Sequence, residues 1–259
     1  MEFTSLTEHL NRDYARLRAA VAAADPAAPV PSCPGWTVDD LAGHVTEVYL
    51  HKVECIKQRK FPDAWPPERE PAPLTTQLDT AWTRLIEQFA THEANDPAAT
   101  WHDPDQTVGF WIRRMAQETV IHRIDAQLAA GVAVDAIPDD LALDDVDEVL
   151  HLFIGYASTR WPGEFAAHLE SPDTRPVVVT ASAAGGSRSW EVAVNPDGVR
   201  VTDRPSAAAP GEEPAARVSG DGDAVARWLW GRAGDDAVTM EGDRTLLDQL
   251  RRVLVTGTQ

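Results

Sequence analysis

Cysteine is scarce in this 259-residue chain: Cys33 and Cys55 can close one bridge at most, which excludes a disulfide-stapled fold. Neither belongs to a C-x-x-C pair, so a structural zinc site built on four cysteines, or on two cysteines and two histidines, is excluded as well. No apolar run reaches the roughly 18 residues that a membrane-spanning helix needs. Positive charge is short too: 23 Lys+Arg stand against 41 Asp+Glu, a formal net charge of −18, which argues against nucleic acid or an anionic membrane as partner. The opening Met1-Glu2-Phe3-Thr4 lacks the basic and apolar regions of a secretory leader, so a cytoplasmic setting is expected. What is present is the balance of a globular protein, 43% hydrophobic and 25% charged, at a length that suits one large domain or two small ones.

Apolar residues recur at helical spacing up to about residue 160 and at strand spacing beyond it. Leu6, Leu10, Tyr14, Leu17 and Val21 form one helical stripe, ended by Pro26, Pro29 and Pro31. Thr37 is the expected N-cap of a second helix, with Asp39 and Asp40 in its first turn, Val38, Leu41, Val45, Val48 and Ile56 along it, and an end near Lys60. Pro62, Pro66, Pro67, Pro71 and Pro73 make residues 61–73 a loop. Residues 74–94, 109–130 (stopped by Gly131) and 139–158 are three further helices. Strands are expected over 177–181, 189–194, 198–202, 216–219 and 238–241, helices over 221–230 and 243–255, and a flexible loop over 205–215. The expected fold class is α+β. An up-down four-helix bundle with a fifth helix fills residues 1–160, and a small α+β domain fills 161–259.

Of eight histidines, His9, His92, His102, His151 and His168 have no partner at useful spacing and are expected at the surface or its edge. Glu118-Thr119-Val120-Ile121-His122 differs. Its i,i+4 spacing puts carboxylate and imidazole on one helix face with Cβ atoms about 5–6 Å apart, a pattern shared by metal sites and plain solvated faces. His44 interrupts the apolar face of Leu41, Val45 and Val48, where a satisfied core histidine is the bland alternative. Taken together, two imidazoles and one carboxylate from two helices have the composition of an open catalytic metal site. Asp125, three residues past His122, either orients that imidazole or lies on the surface. Cys33, in a turn before Pro34, is expected to be structural, and Cys55 to be core.

The stretch Pro31-Ser32-Cys33-Pro34-Gly35-Trp36-Thr37-Val38-Asp39-Asp40-Leu41-Ala42-Gly43-His44-Val45 resembles a signature of the mycothiol-dependent maleylpyruvate isomerase family, part of the DinB-like helical-bundle superfamily. Trp111-Ile112-Arg113-Arg114-Met115-Ala116-Gln117-Glu118-Thr119-Val120-Ile121-His122-Arg123-Ile124-Asp125-Ala126 resembles the family's second signature. Residues 141–153, Trp228-Leu229-Trp230-Gly231-Arg232 and Glu241-Gly242-Asp243-Arg244 are similar to later parts of the family, including its sterol-carrier-like C-terminal domain. The resemblance implies that His44, Glu118 and His122 are the catalytic metal ligands for a divalent ion, with zinc the first candidate and nickel or iron also compatible. His51 ranks second to His44. The resemblance also implies mycothiol, the low-molecular-weight thiol of actinobacteria, as cosubstrate.

A thiol held at the metal loses its proton readily and attacks an electrophilic small molecule, giving cis–trans isomerisation or S-transfer. Arg113, Arg114 and Arg123 form a basic patch that can bind a substrate carboxylate or simply pair with acids. Trp36 and Trp111 are candidates to wall the site, with core packing as the default. The expected cofactor-binding set is Arg114, Arg123 and Trp111. Rival functions on the same scaffold are a metal-dependent hydrolase and a non-catalytic small-molecule-binding or resistance protein.

Overall fold

The four helical stretches that precede residue 135 form as α1 (Phe3–Ala23), α2 (Val38–Gln58), α3 (Leu74–Thr91) and α4 (Val108–Ala129). The computed structural model describes residues 1–68, 71–170, 173–205 and 214–258, and the chain divides into two compact units, Met1–Asp135 and Ala136–Gln259. In the first unit α1 packs on α4, and α2 packs on both α3 and α4. The α1 stripe is the reason: Leu6, Leu10, Leu17 and Val21 are buried. Thr37 and Asp40 close a capping box at the start of α2, with Asp40 Oδ2 accepting from Thr37 N at 2.8 Å. Gly131, at φ +65°, supplies the left-handed residue just past the end of α4.

Buried on nearly every side, α4 is the central element of this unit. A buried helix tolerates polar residues only where they find partners. Thr119 shares a 2.6 Å hydrogen bond with Tyr49 of α2, and Trp111 Nε1 donates to the Ala99 carbonyl at 3.0 Å. The turn between α1 and α2 is pinned by Val30 N donating to Trp36 O at 2.9 Å and Val38 N donating to Ala28 O at 3.0 Å. That turn carries Ser32, Cys33 and Trp36.

The second unit begins earlier than the composition shift near residue 160 suggested. Its first element, α5 (Asp139–Glu148), buries Leu141, Ala142 and Val146 and packs on α8 (Gly222–Leu229) and β1 (Val177–Ala183). Asp145 of α5 accepts from Trp230 Nε1 at 2.9 and 3.0 Å, which ties the helix to a residue 85 positions later. The single helix expected over 139–158 is interrupted: α5 passes into a π-helix (Val149–Tyr156) and then α6 (Ala157–Arg160). An additional short helix, α7 (Pro162–Leu169), follows, with Pro at a first-turn position and Phe165 and Leu169 buried.

The sheet has the order β3-β2-β1-β4-β5, with β2 at Gly186–Asn195, β3 at Gly198–Arg204, β4 at Ala216–Asp221 and β5 at Thr239–Gly242. Among the described residues only the β1–β4 pair is parallel; α9 (Arg244–Gly257) closes the unit. The fold class is thus α+β, helical first and a mixed sheet after. Most of the flexible loop expected over 205–215 lies outside the described residues. No helix among the described residues is long and apolar enough to cross a membrane.

Candidate metal centre

One turn of α4 separates Glu118 from His122, and His44 of α2 reaches the same point from the facing helix. Glu118 Oε1 lies 3.1 Å from His44 Nε2 and 3.2 Å from His122 Nε2. The two imidazoles meet edge to face, with ring centroids 4.9 Å apart. One donor atom from each residue falls within 4.8 Å of the others. Donors held about 2.1 Å from a tetrahedral ion stand about 3.4 Å from one another, so two imidazoles and a carboxylate at this spacing fit a divalent cation. Solvent approaches from the α2 side: the side chain of His44 is 36% exposed, against 13% for Glu118 and 10% for His122.

A second layer of contacts fixes the donors. Arg114, one turn before Glu118 on α4, donates through Nη2 to Glu118 Oε2 and leaves Oε1 for the imidazoles. Asp125 Oδ2 lies 2.9 Å from His122 Nδ1. A carboxylate can only accept here, so Nδ1 carries the proton, and in the neutral ring Nε2 presents its lone pair toward Glu118. Ser32 Oγ donates to the other Asp125 oxygen at 2.5 Å, and Cys33 Sγ lies 3.5 Å from Oδ2.

Electrostatics follow from this arrangement. Burial disfavours a charged imidazole at His122, but Glu118 and Asp125 on either side outweigh burial and raise its pKa. Glu118 is likewise opposed by burial, yet His122 and Arg114 hold its pKa well below the ordinary carboxylate value. Two carboxylates flanking one buried ring call for a positive charge between them, whether a proton or a cation.

The structure sorts the residues expected at the site. His44, Glu118 and His122 come together. Trp36 flanks them, its ring 5.0 Å from that of His44 and 6.3 Å from that of His122. Asp125 is fully buried against His122, which decides against its surface alternative. Arg114 is present but engaged with Glu118.

Arg123 is not at the site: one residue past His122 turns it about 100° around the helix, where it is fully buried and donates to Asp13 Oδ1 of α1 at 3.1 Å. Trp111 is also fully buried, with its Nε1 committed to the Ala99 carbonyl and its ring against the Lys52 ammonium. His51, the runner-up ligand, contacts Lys52 and Cys55 instead. His9 is buried rather than superficial. His151 does have neighbours, Asp147 and Asp203, but Arg188 already bridges those two carboxylates at 2.7 and 3.3 Å. Sequence reasoning missed Ser32. It lies inside the first signature, so position alone held a signal for it.

Residues 7–127 match the family model described as the mycothiol maleylpyruvate isomerase N-terminal domain, and residues 140–249 match the MDMPI C-terminal domain. The chain belongs to the mycothiol maleylpyruvate isomerase family. Two solved structures of the mycothiol-dependent maleylpyruvate isomerase share its fold over 93% of both chains. One is that protein itself, at 16% identity and a TM-score of 0.61. The other is a histidine-to-alanine mutant of it, at 15% identity and a TM-score of 0.62. A search of curated proteins finds no significant match.

Proposed function

We propose that this chain is a divalent-metal-dependent enzyme that uses mycothiol to isomerise a maleylpyruvate-like cis alkene. The observation that carries this reading is the convergence of His44, Glu118 and His122, with Asp125 behind the ring, in a member of this family. A divalent ion held by these three residues supplies Lewis acidity that favours the thiolate form of a bound thiol. Thiolate adds to one alkene carbon, the former double bond rotates, and expulsion of the same thiolate restores the alkene in trans form, so atoms and charge balance.

The protein's own residues prepare that event. Asp125 keeps the proton on His122 Nδ1, and Ser32 and Cys33 fix Asp125 in turn. Arg114 keeps Glu118 ionised and aimed. Trp36 shields the imidazoles from one side, while the exposed flank of His44 leaves the approach open. Cys33 hydrogen-bonds through its thiol to Asp125, a positioning role, and in this reading the attacking sulfur is the cosubstrate's.

The test is turnover of maleylpyruvate with mycothiol and zinc each supplied or withheld. Activity that needs both supports the proposal. Turnover of a hydrolysable substrate without thiol would replace it with a water-activating hydrolase.

A further inference from the structure

Lys52 is the cation on the α2–α4 seam that the site chemistry leaves unused. Among the described residues no carboxylate pairs with it, although acids outnumber bases in the chain by 41 to 23. Its ammonium lies 4.7 Å from the centroid of the buried Trp111 ring and donates to His51 Nδ1 at 3.2 Å. His51 is itself a neutral acceptor: burial and the neighbouring Lys52 lower its pKa to about 4. It is packed 5.0 Å from the ring of Trp65 and 5.9 Å from that of Phe61. An ammonium has three donors, and this arrangement uses one.

Position links Lys52 to the triad. It follows His44 by eight residues on α2, and Trp111 precedes Glu118 by seven on α4. At about 1.5 Å per residue, the Lys52–Trp111 level lies about 10–12 Å along the seam from the metal ligands. The other arginines nearby are committed: Arg114 to Glu118, and Arg123 to Asp13. Keeping a largely buried cation with no carboxylate in contact is costly: burial lowers the Lys52 pKa to about 8, and the charge of Glu118, acting without a contact, offsets only part of that. A methionine would pack on Trp111 without that cost. Such groups concentrate where a charged ligand completes them.

We propose that Lys52 forms a cationic subsite that takes a carboxylate of the electrophilic substrate while the reacting carbon lies at the triad. The assignment to the electrophile rests on the isomerase reading; the affinity for a carboxylate does not. The test titrates maleate, followed by calorimetry, into the full chain as purified and after chelator treatment, with the uncharged dimethyl ester as control. Lys52→Met should weaken maleate binding tenfold or more in both preparations, Lys52→Arg should restore part of it, and the exposed Lys57→Met should match wild type.

In thiol-dependent turnover, Lys52→Met should raise KM for the carboxylate substrate tenfold or more, with a smaller effect on kcat. Lys52→Gln serves as the second variant should the methionine change disturb folding. Equal maleate affinity in wild type and Lys52→Met would overturn the subsite, and a rise in the thiol's KM in place of the electrophile's would overturn its assignment. Absence of turnover in the wild type would defeat the isomerase reading alone, leaving the maleate titration to decide the subsite.

Discussion

Asp125 shows how much a single buried side chain governs here. It accepts from His122, Ser32 and Cys33 at once, and so sets which imidazole nitrogen is free. Asp125→Asn should lower divalent-metal affinity about 10- to 100-fold with little change in the fold, measured by competition with a chromophoric chelator. His122 adds a proton linkage. Its raised pKa means that metal must displace a proton at neutral pH, so affinity should climb about tenfold per pH unit until the pH passes that raised value.

Arg123 tests a different role. Arg123→Ala leaves the buried Asp13 carboxylate with only the part-exposed Arg16, at 3.5 Å, and should cost about 3 kcal/mol in urea unfolding, while the folded fraction keeps its metal. Lys52 makes a pH prediction of definite sign. With a folded pKa near 8, the unfolded chain binds more protons between pH 8 and about 10.4, so stability should rise with pH across that window. Lys52→Met should remove that rise and stabilise the protein at neutral pH, as read from urea midpoints.

Among the elements, α2 and α4 were legible because their signals are local. The Thr37 cap, the Gly131 stop and the four-residue step from Glu118 to His122 all lie within a few residues of what they determine. Thr37→Ala should cost about 1 kcal/mol by chemical denaturation and fray the first turn of α2, with metal binding kept because His44 lies two turns further in. What was not legible depends on distant partners. Arg123 reads as part of a basic patch until α1 brings Asp13 against it, 110 positions away. The apolar spacing of α5 predicts a helix but not which unit it packs in; that is decided by Trp230 and α8. The π-helix that follows shares the apolar pattern of an ordinary helix and is invisible to periodicity.

Across the whole molecule, one unit supplies a bundle whose central helix is buried on nearly all sides, and that burial is what lets a few polar residues act on one another strongly. The net charge of −18 sets the background: an anionic substrate meets long-range repulsion, which the proposed Lys52 subsite would offset locally. The proposed function requires His44, Glu118 and His122 to hold one divalent ion. Elemental analysis of the dialysed wild-type chain beside Glu118→Gln measures that directly: close to one equivalent of metal is predicted in the wild type and almost none in the variant. A folded wild type that retains no metal from a zinc-containing buffer, or a Glu118→Gln chain that retains as much, would contradict it.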